Sequence, residues 1–212
     1  MENYLKILGR KFNYKEFDIV IIGDLHGFDK SIKIEKELIK SFKPQFVLHE
    51  MLESYNLTKE EAKSIIKSKN WKSKLFNYKS ISYIFKLAKE TNATFIGSDL
   101  KNHGIKNLND YHVDRELTKQ EEEDEEKLIK KRELKQADNI IRFLNKKKKL
   151  ICITGTYHLR KNSVLVKTLS KLKNLNILLV YPHINGKLFY GQMDFKINEL
   201  YYMYQLLPAK DL

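Results

Sequence analysis

Short runs of apolar residues alternate along this chain with longer segments whose apolar positions recur at helical spacing. The apolar runs predict strands at residues 18–22, 45–49, 93–97, 150–154 and 176–181. The segments between them predict helices at residues 31–41, 58–68, 81–91, 118–145 and 163–172. This alternation is typical of an α/β fold with a mostly parallel central sheet flanked by helices.

The end of the chain follows a different pattern. Asn185 and Gly186 separate residues 179–184 from residues 187–190, which predicts a β-hairpin and hence an antiparallel pair at the sheet edge. We expect the Tyr- and Leu-rich tail, residues 193–212, to pack against the domain. Because 212 residues suit one domain and only 8 Gly and 3 Pro are present, we predict a single α/β domain over residues 1–212, with a core at 18–182 and a C-terminal hairpin and tail at 183–212.

Composition restricts the class of protein. A chain of 212 residues that is 42% hydrophobic can bury a full core, which excludes a disordered chain. Cys152 is the only cysteine, so no internal disulfide is possible and a reducing compartment is expected. The first 14 residues lack a signal-peptide core, and the apolar runs are far shorter than the roughly 20 residues of a membrane span. We therefore expect a cytoplasmic protein without a membrane span.

The formal net charge of +13 raises the question of a phosphate-bearing partner such as nucleic acid. The lysines are scattered over almost every predicted helix, and no nucleic-acid-binding signature accompanies them. The densest run, residues 146–149, falls between a predicted helix and strand. We favour a solvated basic surface and a small-molecule or peptide substrate over nucleic acid. The oligomeric state stays open.

Candidate chemistry lies at the carboxyl ends of the predicted strands, where ligands bind to open parallel sheets. Imidazoles and carboxylates that meet there can hold a divalent metal or form a general acid/base pair. A histidine that titrates near neutrality can also activate water directly. The residues that follow the first four strands are Asp24, His26, Glu50, Asp99, Thr156 and His158.

Other polar residues have simpler interpretations. His49 lies within an apolar strand, which indicates a buried, hydrogen-bonded histidine. We expect His103 and His112, in a polar segment, to be surface residues. Asp99 could cap a turn, and the position of Arg132 in a charged helix by itself indicates a residue on the helix surface.

Three motifs resemble the erythromycin esterase/ChaN/TraB/TIKI superfamily. Residues 23–27 (GDLHG) match the G-x-x-H after its first strand, residues 46–50 (FVLHE) end in its essential Glu, and residues 155–159 (GTYHL) match its second G-x-x-H. Arg132 and Glu133, followed by Ala137 and Ile140, resemble a helix of TraB-like members, the branch that we favour. Gly97-Ser98-Asp99 resembles the esterase-like branch.

The resemblance implies a hydrolase pocket formed by His26, Glu50 and His158, with Arg132 nearby. Asp24, Asp99 and Thr156 would bind substrate or orient the histidines. Some family members are metal-dependent proteases, which makes His26, Glu50 and His158 candidate ligands of one Mn, Co or Zn ion. Others are esterases in which histidine activates water without metal, and one branch binds haem. The cleaved bond, peptide or ester, stays open.

Two alternatives remain. Asp24, His26 and Gly27 also resemble the first motif of calcineurin-like metallophosphatases, and Asn102-His103 resembles a later one. The metal-bridging Asp after the second strand is missing, so we prefer the first family. The other alternative is a non-catalytic protein that binds haem or nucleic acid.

Overall fold

The computed structural model describes residues 4–7, 10–13, 17–25, 28–67, 78–104, 117–144, 149–160, 162–172, 175–184, 187–188 and 201–205. The strands are β1 Tyr4–Ile7, β2 Arg10–Asn13, β3 Ile19–Asp24, β4 Phe46–His49, β5 Asn56–Leu57, β6 Thr94–Gly97, β7 Leu150–Gly155, β8 Ile177–Ile184, β9 Lys187–Leu188 and β10 Tyr201–Gln205. The α-helices are α1 Asp29–Phe42, α2 Lys59–Lys67, α3 Tyr78–Glu90, α4 Lys119–Leu144 and α5 Val164–Leu169. Short 3₁₀ turns cover Glu50–Leu52, Lys101–Gly104 and Thr156–Leu159.

The main sheet has the strand order β10-β8-β3-β7-β4-β6-β5, with β9 paired to β8. All neighbours from β10 to β6 run parallel. Antiparallel pairing joins β5 to β6 and β8 to β9, while β1 and β2 form a separate antiparallel pair. The predicted fold class, a mostly parallel sheet flanked by helices, is confirmed.

Helices cover both faces of this sheet. Val20 and Ile22 of β3 pack in the same apolar cluster as α1, α2 and α3. Ile19 and Ile21 point to the opposite face, into the cluster that α4 and α5 complete. Burial on both faces explains why β3 is apolar at consecutive positions rather than at alternate ones.

The centre of the sheet is a topological switch point. β3 and β7 are neighbours, with Asp24 aligned to Gly155, but the helices that follow them, α1 and α5, pack on opposite faces. Such a reversal leaves a crevice at the carboxyl ends of the two strands, where open α/β sheets bind ligands. β4 lies on the other side of β7, so Glu50, the residue that follows β4, lies at the same edge of the sheet.

Local signals account for several element boundaries. Thr58 and Glu61 form the capping box that their spacing indicates: Glu61 Oε2 accepts from Thr58 N at 2.7 Å, and Thr58 Oγ1 accepts from Glu61 N at 3.2 Å. Thr118 and Glu121 make the same pair of bonds at the start of α4. No helix in the described segments is both long and apolar enough to cross a membrane.

The C-terminal region differs in part from the prediction. The predicted antiparallel pair is present as β8 with β9, although its turn residues 185–186 lie outside the described residues. The tail does more than pack against the domain, because Tyr201–Gln205 adds a parallel edge strand to β8. This segment is rich in tyrosine, which favours strands, and it pairs backbone groups that an edge strand would leave open. Helix α5 is also shorter than residues 163–172.

Gly97 allows the end of β6 to pass closely beneath the turn that follows β4. Its N–H donates to Tyr55 O at 2.7 Å, and a Cβ at this position would lie 2.6 Å from Tyr55 N. Two residues later, Asp99 N donates to Glu53 O at 2.8 Å, so this contact also fixes the position of Asp99.

We expect Gly97→Ala to lower the free energy of unfolding by about 1–3 kcal/mol, because the added methyl group meets backbone that cannot move aside. Chemical denaturation followed by circular dichroism measures the change. Ser64→Ala on the exposed side of α2 is the control. If the two variants were equally stable, the close approach at Gly97 would be unimportant.

Candidate functional site

Glu50 is a buried carboxylate that begins the turn after β4. Its Oε1 accepts from Arg132 Nη2 at 2.7 Å and lies 3.3 Å from His158 Nε2. Its Oε2 accepts from the Gly155 N–H at 2.5 Å and from the Thr154 hydroxyl at 3.0 Å. The end of β7 and the long helix α4 therefore hold this carboxylate from both sides.

His158 lies between two carboxylates in the 3₁₀ turn after β7. Its Nε2 faces Glu50, and its Nδ1 lies 3.4 Å from Oε1 of Glu133 on α4. Burial alone would lower the pKa of His158, but the charge of Glu50 and the hydrogen bonds to Glu133 and Glu50 outweigh burial and raise it to about 9. At neutral pH the ring is therefore an imidazolium ion.

Glu133 holds the turn that carries His158. Its Oε1 accepts from Arg160 Nη1 as well as facing His158, and its Oε2 accepts from the Val164 N–H at 2.7 Å. Burial raises the pKa of this carboxyl, but the bonds to His158, Val164 and Arg160 together lower it below its usual range. Glu133 is thus an ionised side chain with no solvent exposure.

Arg132 joins Glu50 to the end of β6. Its Nε donates to Asp99 Oδ2 at 2.8 Å, and its Nη2 donates to the same oxygen at 2.6 Å. His103 Nδ1 lies 3.0 Å from Asp99 Oδ2. Burial raises the pKa of Asp99, but the bonds to His103 and Arg132 lower it below the usual range.

From Arg160 to Asp99, these groups form one continuous row in which positive and negative side chains alternate along the carboxyl edge of the sheet, and His103 ends the row by contacting Asp99. Each charge contacts a neighbour of opposite sign, so the row is held together although most of its members are buried. We call it the charged rim; its members are Arg160, Glu133, His158, Glu50, Arg132, Asp99 and His103.

A second polar cluster lies on the face of the sheet that α1 and α3 cover. His49 Nδ1 accepts from the Met51 N–H at 3.2 Å, and its Nε2 lies 2.9 Å from the Tyr83 hydroxyl. That hydroxyl donates to Glu35 of α1. Burial, the charge of Asp24 and a hydrogen bond to Asp24 raise the pKa of Glu35, although the Tyr83 bond lowers it. The predicted substrate-binding residue Asp24 thus belongs to this cluster.

The described residues do not fit a metal ion while Arg132 is in place. Ligand-type atoms of Glu50, Asp99 and His103 lie within 4.8 Å of one another, close enough for one cation. Arg132 Nη2, however, lies 2.7 Å from Glu50 Oε1, 2.6 Å from Asp99 Oδ2 and 3.3 Å from His103 Nδ1. The guanidinium group therefore fills the position of the cation. His158 lies between Glu50 and Glu133 and does not belong to this group of ligand-type atoms.

The structure brings Glu50, His158, Arg132 and Asp99 into direct contact. His26 lies outside the described residues, and Thr156 is buried in the turn that carries His158. The prediction that His103 is a surface residue is wrong, since only 17% of its side chain is exposed and it pairs with Asp99. Glu133, Arg160, Glu35 and Tyr83 were not predicted as site residues, although Glu133 directly follows Arg132 in the helix motif.

Comparisons with known proteins find the fold but no family. The structure resembles ChaN of Campylobacter jejuni, solved in a study of cofacial haem binding, with a TM-score of 0.51, 16% identity and coverage of 88% of this chain and 92% of ChaN. The type III effector HopBA1 matches with a TM-score of 0.45, 16% identity and coverage of 80% of this chain and 79% of the effector. No family model and no curated protein sequence matches.

At this level of identity, the likeness to ChaN shows a shared fold. ChaN is also one of the groups that the sequence motifs resemble. The choice of the TraB-like branch stays a prediction.

We expect Arg132→Ala to leave Asp99 buried without its guanidinium partner and Glu50 with His158 alone as a cation, which destabilises the fold by about 3–5 kcal/mol. Mn²⁺ or Zn²⁺ should then raise the melting temperature of the variant, because the three ligand atoms become available. Arg132→Lys, which keeps one positive charge, is the control, and metal should raise its melting temperature by a smaller amount. Equal stabilisation of wild type and Arg132→Ala by metal would contradict the assignment.

The raised pKa of His158 predicts a pH-dependent stability. The folded chain holds the imidazole proton more tightly than the unfolded chain, so this stabilisation is complete below about pH 6.5 and is lost as pH rises through 9. A shift of this size corresponds to about 3 kcal/mol. Urea unfolding at intervals from pH 6 to 10 measures it, and the decline should be shallower in His158→Gln. Parallel curves for the two proteins would refute the shift.

Proposed function

We propose that this chain is a hydrolase that activates water at the charged rim without a metal ion. The observation that carries the proposal is the position of His158, which is buried between Glu50 and Glu133 in a row of charged groups that continues to Arg132. Titratable groups with strongly shifted pKa values in a crevice are typical of functional sites. The switch point between β3 and β7 supports the same location.

His158 and Arg132 would act through their positive charges. When water attacks the carbonyl carbon of an ester or amide, negative charge develops on the carbonyl oxygen. Fixed cationic donors near that oxygen stabilise the transition state, and they do so most strongly where water is scarce. Both ring nitrogens of His158 face carboxylates, so His158 contributes its charge, and the leaving group takes the proton that His26 received from water.

His26 is the proposed general base. It follows Asp24, the last residue of β3, by two positions, and β3 is paired with β7, which leads to His158. In the reaction, the water oxygen bonds to the acyl carbon while His26 takes one water proton. The carbon–leaving-group bond then breaks, and the leaving group takes a proton to give an acid and an alcohol or amine.

Glu50 would position these groups rather than take the proton itself. Its two oxygens accept from Arg132, Gly155 and Thr154 and face His158, so its lone pairs are already engaged. The same saturation disfavours the metallophosphatase alternative, in which Glu50 would replace the bridging Asp. Cleavage of bis(p-nitrophenyl) phosphate only with added Mn²⁺ would favour that alternative.

Haem binding is the second candidate, favoured by the shared fold with ChaN. Among the described histidines, His49 and His158 have both ring nitrogens engaged and would lose their present partners as axial ligands. His103 contacts Asp99 through Nδ1, and its Nε2 lies 3.8 Å from Glu53 Oε1. Titration with haemin tests this candidate. A Soret band that saturates at a fixed stoichiometry, with no ester or peptide hydrolysis, would favour haem binding over the hydrolase.

We expect the wild type to hydrolyse p-nitrophenyl butyrate or a generic peptide in the presence of EDTA. Replacing the base in His26→Ala, or the cation in His158→Gln, should lower kcat/KM by about 10²–10⁴-fold. His112→Ala, which replaces a histidine that the proposal does not use, is the matched control. Circular dichroism verifies that each variant is folded. Full activity in folded His26→Ala and His158→Gln, or loss of wild-type activity in EDTA, would overturn the proposal.

A further inference from the structure

The turn that carries His158 also presents a second cation, Arg160. Its Nη1 donates to Glu133 Oε1 and, at 2.9 Å, to the Tyr157 carbonyl oxygen. A guanidinium group has five N–H donors, and these bonds use the two on Nη1. In the described part of the chain, the donors on Nε and Nη2 have no acceptor.

The guanidinium group of Arg160 also contacts the ring of Tyr157. The Arg160 carbon Cζ lies 4.2 Å from the centre of the Tyr157 ring, and 41% of Tyr157 is exposed. The Tyr157 ring lies against one face of the Arg160 guanidinium group, and Glu133 binds the group at Nη1. The edge formed by Nε and Nη2 is left for a ligand. This is the edge that makes two parallel bonds with a carboxylate.

The other carboxylate near Arg160 has its own partner. Glu126, one of the exposed acidic residues of α4, feels the charge of Arg160 but pairs with Lys130 at 2.8 Å. It therefore does not take the place of a ligand on the Nε–Nη2 edge.

Arg160 is close to the proposed reaction centre. Arg160 Nη1 and His158 Nδ1 both contact the same oxygen, Oε1 of Glu133. An anion bound by Arg160 would thus lie beside the cation that stabilises the reacting carbonyl group. The net charge of +13 also favours the approach of anionic molecules.

We propose that Arg160 and Tyr157 form a subsite for a carboxylate carried by the substrate, next to the bond that is cleaved. Arg160 would bind the carboxylate in the plane of its guanidinium group, and the exposed Tyr157 ring would pack against the adjoining carbon chain. This inference rests on the proposed function for the cleaved bond, but the binding of the carboxylate can be measured without turnover.

The first experiment measures binding alone. Calorimetric titration compares monomethyl glutarate, which has one carboxylate, with neutral dimethyl glutarate. We expect the wild type to bind the anion at least tenfold more tightly, Arg160→Gln to lose this preference, and Arg160→Lys to keep only part of it because lysine lacks the planar fork. Arg142→Gln is the matched control, since Arg142 also lies over an aromatic ring, Phe143, at 5.6 Å.

The second experiment uses turnover of two esters with the same leaving group, p-nitrophenyl butyrate and mono-p-nitrophenyl glutarate. The wild type and Arg142→Gln should have a higher kcat/KM for the glutarate than for the butyrate. In Arg160→Gln the ratio of the two values should fall toward one, mainly because KM for the glutarate rises. No anion preference in the wild type, or the same loss in Arg142→Gln, overturns the subsite. Anion binding without hydrolysis of either ester would instead retain the subsite and reject the hydrolase.

Discussion

An ionised side chain buried away from water is destabilising by several kcal/mol unless an opposite charge and hydrogen bonds compensate it. The carboxyl edge of this sheet holds Glu133, His158, Glu50 and Asp99 in that condition. Each is compensated by its neighbours in the charged rim, so removing an inner member takes one partner from each of two others. The position of α4 and the turns after β4, β6 and β7 therefore depend on one another.

Arg132 gives the rim its chemical character. Carboxylates and a histidine that meet within 4.8 Å resemble a metal site, but in this chain α4 supplies the cation. A guanidinium group stays charged at every physiological pH and directs its N–H groups in a plane. The rim is thus suited to stabilising and binding anions. The proposed hydrolase and the proposed carboxylate subsite both use this property, at neighbouring cations.

Topology accounts for the site residues that could be predicted. Glu50 and His158 follow apolar strands, and the carboxyl ends of parallel strands meet at one edge, so their proximity follows from the fold class. Arg132 could be placed only through the motif resemblance, because a charged residue on a helix is ordinarily solvated. Glu133 and Glu35 were missed for the same reason. The prediction for His103 was wrong because a turn brings its ring to Asp99. The backbone of this turn is left-handed at His103, with φ of 50°, and at Gly104, with φ of 80°.

By itself, the sequence determined the α/β class, the order of the central elements and the edge of the sheet where ionisable residues gather. The class and the order of the elements follow from hydrophobic periodicity, which residues close in sequence show. The position of the ionisable edge follows from the geometry that all parallel sheets share. Only the tertiary structure decided which charges pair, that Arg132 takes the position of a cation and that Asp24 joins Glu35 instead of the rim. Those outcomes depend on side chains from distant segments meeting within about 3 Å, a distance that hydrogen-bond geometry requires and that no local pattern encodes.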